Sequence, residues 1–81
     1  MPGLRRLYAP QRVAVRTDPR GAPTTVNDQT VESVREEWLV EDRWWTPKPL
    51  QRHYFELALN DGRALTVFRT ARAQRWYQQR A

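Results

Sequence analysis

Residues 41–49 read EDRWWTPKP. Trp44 and Trp45 stand side by side among charges, with Pro47, Lys48, Pro49 and Arg52 close behind. Indole beside cations suits one kind of chemistry. A ring stacks on an unpaired base while the ammonium or guanidinium group holds phosphate. The same pairing of Trp and Arg also marks protein-binding hot spots. Adjacent residues in extended backbone point to opposite sides. One indole can therefore plug the core while the other is left partly exposed, or is covered by the two prolines. Core plug and partner platform both stay open at this point.

Other chemistry is poorly supplied. His53 is the single histidine and falls in an alternating stretch with Phe55 and Leu57, where a packed ring is the plainer explanation than a catalytic one. Ser33 is the single serine and carries no nucleophile motif around it. Glu36, Glu37, Glu41 and Asp42 could pair for acid–base work or hold a cation, but a solvated strand face beside Arg35 and Arg43 explains them more simply. The three glycines are scattered and form no phosphate-cradling loop. The expectation is a non-enzymatic protein with no cofactor and no metal site.

Charge is distributed by region. Residues 1–27 hold five Arg against Asp18, a net +4. Residues 28–62 hold eight acids against Arg35, Arg43, Lys48 and Arg52, a net −4. Residues 63–81 hold Arg63, Arg69, Arg72, Arg75 and Arg80 with no acid. Basic ends suit a polyanion such as single-stranded nucleic acid. They could equally fold against the acidic middle and cancel it. Thirteen Arg to one Lys is also what a GC-rich genome writes. The candidate binding surface is Trp44, Trp45, Lys48 and Arg52, supplemented by Arg63, Arg69, Arg72 and Arg75.

At 81 residues the chain makes one domain near the lower size limit for unaided folding. Without cysteine it has neither disulfides nor thiolate sites, so four Trp, three Tyr and two Phe must fill the core. No stretch is apolar enough to cross a membrane as a helix, and MPGLRRLYAPQR has no apolar h-region. A soluble cytoplasmic protein is expected.

The elements that must position these groups are mostly strands. Residues 1–9 lack a period and read as an N-terminal arm, leaving 10–81 as the domain. Arg12–Arg16 alternates, with Val13 and Val15 on one face. Asp18-Pro19-Arg20-Gly21 is a turn, Pro23–Val26 a returning strand, and Asn27-Asp28 a second turn. In residues 29–42 two periods compete. Val31, Val34 and Trp38 fit a helix, whereas Trp38 to Glu41 alternate as a strand. A long bent strand with a bulge between Val31 and Val34 is favoured. Residues 44–49 form a loop, because two prolines forbid a regular ladder.

Residues 52–59 alternate most clearly, with His53, Phe55, Leu57 and Leu59 on one face and Arg52, Tyr54, Glu56 and Ala58 on the other. Asn60-Asp61-Gly62 turns the chain into Ala64–Arg69, and a last short strand carries Trp76. Trp38 and Trp76, inside strands with apolar neighbours, are expected in the core. Five or six consecutive strands point to an all-β fold, a small twisted antiparallel sheet or SH3-like open barrel. An edge strand offers a route to a homodimer by pairing with its copy.

One resemblance follows from the spaced aromatics. V-x-x-V-x-x-x-W-x-V from Val31, then Trp44-Trp45, Arg52-x-Tyr54-Phe55, Asp61-Gly62-Arg63, Val67-Phe68-Arg69 and Arg75-Trp76-Tyr77 run in order. The pattern resembles a small bacterial family known as domain of unknown function 6504. That family occurs as short stand-alone proteins and as the tail of some mutasome-type Y-family proteins that lack polymerase activity. The match covers most of the chain, but Gln78-Gln79-Arg80-Ala81 replaces the further apolar stretch usual after the last Trp. The resemblance implies a DNA-repair setting, with single-stranded nucleic acid or a repair polymerase as partner. It carries no catalytic residues over.

Overall fold

The computed structural model describes residues 10–42, 50–71 and 74–79. Trp44, Trp45, Lys48 and Arg72, the loop at 44–49 and the arm at 1–9 lie outside the described residues. Seven strands follow in chain order, one or two more than the sequence suggests. They are β1 (Gln11–Arg12), β2 (Val15–Thr17), β3 (Pro23–Val26), β4 (Gln29–Asp42), β5 (Leu50–Leu59), β6 (Ala64–Thr70) and β7 (Trp76–Gln79). All pair antiparallel in the order β1-β7-β6-β5-β4-β3-β2, and the sheet curls into a half-barrel. The all-β open barrel read from the sequence is the fold. No described helix is long and apolar enough to cross a membrane.

The extra strand arises where one run of alternation is divided. Gln11 and Arg12 pair with Gln78 and Tyr77 of β7, whereas Val15 and Arg16 pair with Val26 and Thr25 of β3. Between them, Val13 donates its N–H to the Trp76 carbonyl (3.2 Å) and Ala14 donates to Asn27 Oδ1 (2.8 Å). A single segment thus belongs to both ends of the sheet and draws them together. That satisfies strand edges that would otherwise be open.

Turn chemistry sets the hairpins. Asn27 and Asp28 both hold positive φ (48° and 68°), the left-handed pair that matches strand twist in a two-residue hairpin. Asp18 Oδ1 accepts from the N–H groups of Arg20 (2.8 Å) and Ala22 (3.0 Å), and Gly21 supplies a φ of 87°. At the β5–β6 turn, Asp61 accepts the Arg63 backbone N–H (3.0 Å) and its Nε–H (2.7 Å). These bonds, the backbone one foremost, hold the Asp61 carboxyl below the usual carboxylate range.

Residues 29–42 form one strand, as favoured. Its register against β5 shifts between Val31 and Ser33 and again between Val34 and Glu36. Each irregularity adds twist, which a 14-residue strand needs to follow a curved sheet. The concave face carries the core: Val13, Val26, Phe55, Leu57 and Val67, with Val15, Val31, Leu65 and Trp76 packed against it. Trp76 is therefore a core ring, as expected. Trp38 is not. It lies on the opposite face, in register with Tyr54, and keeps 38% of its surface exposed. The second shift puts it out of phase with Val34, which pairs with Leu57 on the core face, as Val31 does with Leu59.

Candidate nucleic-acid interface

Register alone assembles an aromatic row on the convex face. Trp38 lies opposite Tyr54, Tyr54 opposite Phe68, Phe68 opposite Tyr77, and Tyr77 opposite Arg12. One line of side chains therefore crosses five strands. The ring centroids are 5.3 Å apart for Trp38–Tyr54, 5.0 Å for Tyr54–Phe68 and 5.3 Å for Phe68–Tyr77. The first pair is nearly parallel at 6°, and the third is inclined by only 21°. Directly opposed residues bring their Cβ atoms within about 5 Å. Flat rings at that spacing stack across the strands.

Arginines close over the row. The Arg52 guanidinium carbon sits 4.7 Å from the Phe68 ring centre, and that of Arg12 sits 5.9 Å from the Tyr77 ring centre. Both lie within the range where a cation feels the negative face of a ring. Phe68 is buried although it faces away from the core, so it forms the floor of the row. Trp38, Tyr54 and Tyr77 keep accessible surface. Arg52 Nη1 reaches the Tyr54 hydroxyl at a long 3.4 Å, while its buried Nε has no hydrogen-bond partner among the described residues. Arg52, Phe68, Thr70, Tyr77 and Pro10 line a shallow pocket of about 230 Å³. That is below the roughly 300–1,000 Å³ typical of drug-sized ligand sites, and fits a single ring.

The arginines named from sequence are dispersed. Arg52 is on the convex face. Arg69 is opposite His53 on the concave face, its guanidinium carbon 5.7 Å from the Trp76 ring centre. Arg63 is at the β5–β6 turn, tied to Asp61 at the far end of the sheet from Arg52. Arg75 is exposed just before β7, its carbonyl accepting from Thr70, the register partner of Arg52. Among the described residues, Arg52, Arg69 and Arg75 therefore share one end of the sheet, with Arg69 on the concave face. Arg12, which no motif singled out, joins the site by pairing with β7. Compared with protein-family models, curated proteins and solved structures, the chain matches none.

The concave face also carries a polar mouth beyond the core. His53 Nε2 lies 2.8 Å from Glu37 Oε2 and its ring stacks on Phe55 at 4.4 Å. Asp18, Arg20, Gly21 and Arg69 line the same hollow. Ser33 faces Ala58 on the convex side, five residues along β5 from His53, so the one serine and the one histidine are not brought together. Among the described residues no three His, Asp or Glu side chains gather as metal ligands. Among the described residues, the Glu37–His53 contact bridges β4 and β5 and the Asp61–Arg63 ion pair lies within one turn, and neither joins the basic N-terminal region to the acidic middle.

Proposed function

We propose that this domain is a soluble, cytoplasmic, non-enzymatic binding module that lays a single nucleic-acid strand across its convex face. The observation that carries the reading is the aromatic row Trp38–Tyr54–Phe68–Tyr77, stacked at its two end pairs and tilted at Tyr54–Phe68, with Arg52 and Arg12 against its rings. Exposed rings give bases a sequence-tolerant platform, each stack contributing about 1–3 kcal/mol. Arg12, Arg52 and Arg75 supply cations for the phosphates. Trp44, Trp45 and Lys48 follow β4 in the sequence and are part of the same proposal. A DNA-repair setting rests on the family resemblance alone.

A fluorescently labelled single-stranded oligothymidylate, titrated at several salt concentrations, tests this. Binding through three phosphates predicts a slope of log K against log salt of about −2, at roughly −0.7 per contact. Arg52→Ala should weaken binding several-fold, and Arg63→Ala, at the opposite end of the sheet, should leave it unchanged. No binding at low salt with tens of micromolar protein would remove the nucleic-acid reading. The rival is a protein-interaction module docking on a repair polymerase or other partner. It is favoured by a different feature, the exposed apolar side chains of β4.

A further inference from the structure

Among the described residues, β4 is paired along its length on one side only. β5 accompanies it from Val31 to Asp42. On the other side, β3 meets it at Gln29 and Thr30 and no described strand continues further. The stretch from Glu36 to Glu41 is the regular part of this edge, after both register shifts. Six residues span about 20 Å at ~3.4 Å each. Backbone N–H and C=O groups along such an edge are a template for one more strand.

The side chains flanking that edge are unusual. Leu39 is 62% exposed, and Trp38 and Val40 are each 38% exposed. Their faces differ by register. Glu36, Trp38 and Val40 lie on the convex side, whereas Glu37, Leu39 and Glu41 lie on the concave side. Glu32, Glu36, Glu37 and Glu41 outnumber Arg35, so the segment is net acidic. An antiparallel second copy centred on Glu36, Glu37, Leu39 or Glu41 would align acid with acid, and like charges across strands destabilise. Acids and bulges are also the usual protection of an edge against its own copy.

We propose that the Glu36–Glu41 edge of β4 accepts an extended basic peptide from a partner protein by strand addition. The peptide alternates apolar residues, placed beside Trp38 and Val40, with Lys or Arg placed beside Glu37 and Glu41. Main-chain bonds supply affinity, and the alternation selects the strand and its facing. The two sites share Trp38 and no other row residue: Arg12, Arg52, Phe68 and Tyr77 lie on other strands, so an oligonucleotide bound there does not require the peptide.

The test is a titration of the full chain, labelled with nitrogen-15, using a seven-residue peptide of alternating valine and lysine. A peptide of alternating valine and glutamate serves as the control. The expected result is saturable shifts of β4 amides and slowed hydrogen exchange confined to that edge, with the glutamate peptide at least tenfold weaker. The double variant Glu37→Lys/Glu41→Lys should reverse the preference between the two peptides. Equal binding of both peptides would overturn the proposal, as would silence of β4 at millimolar peptide or shifts centred on Arg12 and Tyr77. Sedimentation at the same protein concentration adds a fourth outcome. A dimer whose interface protects β4 without peptide would assign the edge to a second copy instead.

Discussion

Trp38 and Trp76 are the same residue type in the same kind of element, with opposite employment. Trp76 packs on the core beside Phe55, their ring centres 5.5 Å apart. Trp38 lies on Tyr54 in the open. Alternation shows that neighbours face opposite sides, but not which side a long strand buries. Trp38 has valines on both sides of it in sequence, which made the core the natural expectation. What reversed it relative to Val34 is the register shift between Val34 and Glu36, invisible in residue types. The difference is measurable. Trp76→Ala should cost about 2–4 kcal/mol in urea unfolding, towards the range for truncating large core rings. Trp38→Ala should cost about 1 kcal/mol or less, mainly its stack on Tyr54. Equal losses would mean that Trp38 carries more of the fold than its exposure indicates.

At the level of strands, much was legible because turns fix register. Partners on β5 and β6 lie equally far on either side of Asp61, so the Asn60-Asp61-Gly62 signal already puts Tyr54 opposite Phe68. Trp38 and Tyr54 are likewise symmetric about position 46, but two prolines and two tryptophans there gave no turn centre to count from. The aromatic row was thus half readable. The same geometry sets Glu36 directly opposite Glu56 on the convex face. Like charges in that relation oppose pairing, and opposite charges favour it by about 0.2–1 kcal/mol. Glu36→Lys should therefore raise the midpoint of chemical unfolding by roughly 0.5 kcal/mol equivalent, and less at high salt. A decrease would show that Glu36 does something in the fold beyond occupying an exposed register position.

The whole sheet is held in its curl by a seam that alternation did not announce. Arg12 to Arg16 read as one strand, because nothing in Val13-Ala14 resembles a break. Pairing Arg12 with Tyr77 joins positions far apart in sequence, and local pattern carries no record of such contacts. Between the β1–β7 and β2–β3 pairs, the seam includes the bonds of Val13 to Trp76, Ala14 to Asn27 Oδ1, and Asn27 N–H to the Ala14 carbonyl at 2.7 Å. Asn27 is doubly fitted to its place, with a positive φ and a side-chain acceptor for β-strand backbone. Asn27→Gly keeps the backbone freedom and deletes the acceptor. It should cost about 0.5–1.5 kcal/mol, the net value of one hydrogen bond. Hydrogen exchange should locate that loss. Amides of β1, β2, β3 and β7 should open faster while those at the centre of β5 change only with global stability, because edge elements open first. Uniform acceleration across the sheet would mean that the barrel has no separate seam and opens as one unit. In that case Arg12 would be as firmly placed against Tyr77 as Arg52 is against Phe68.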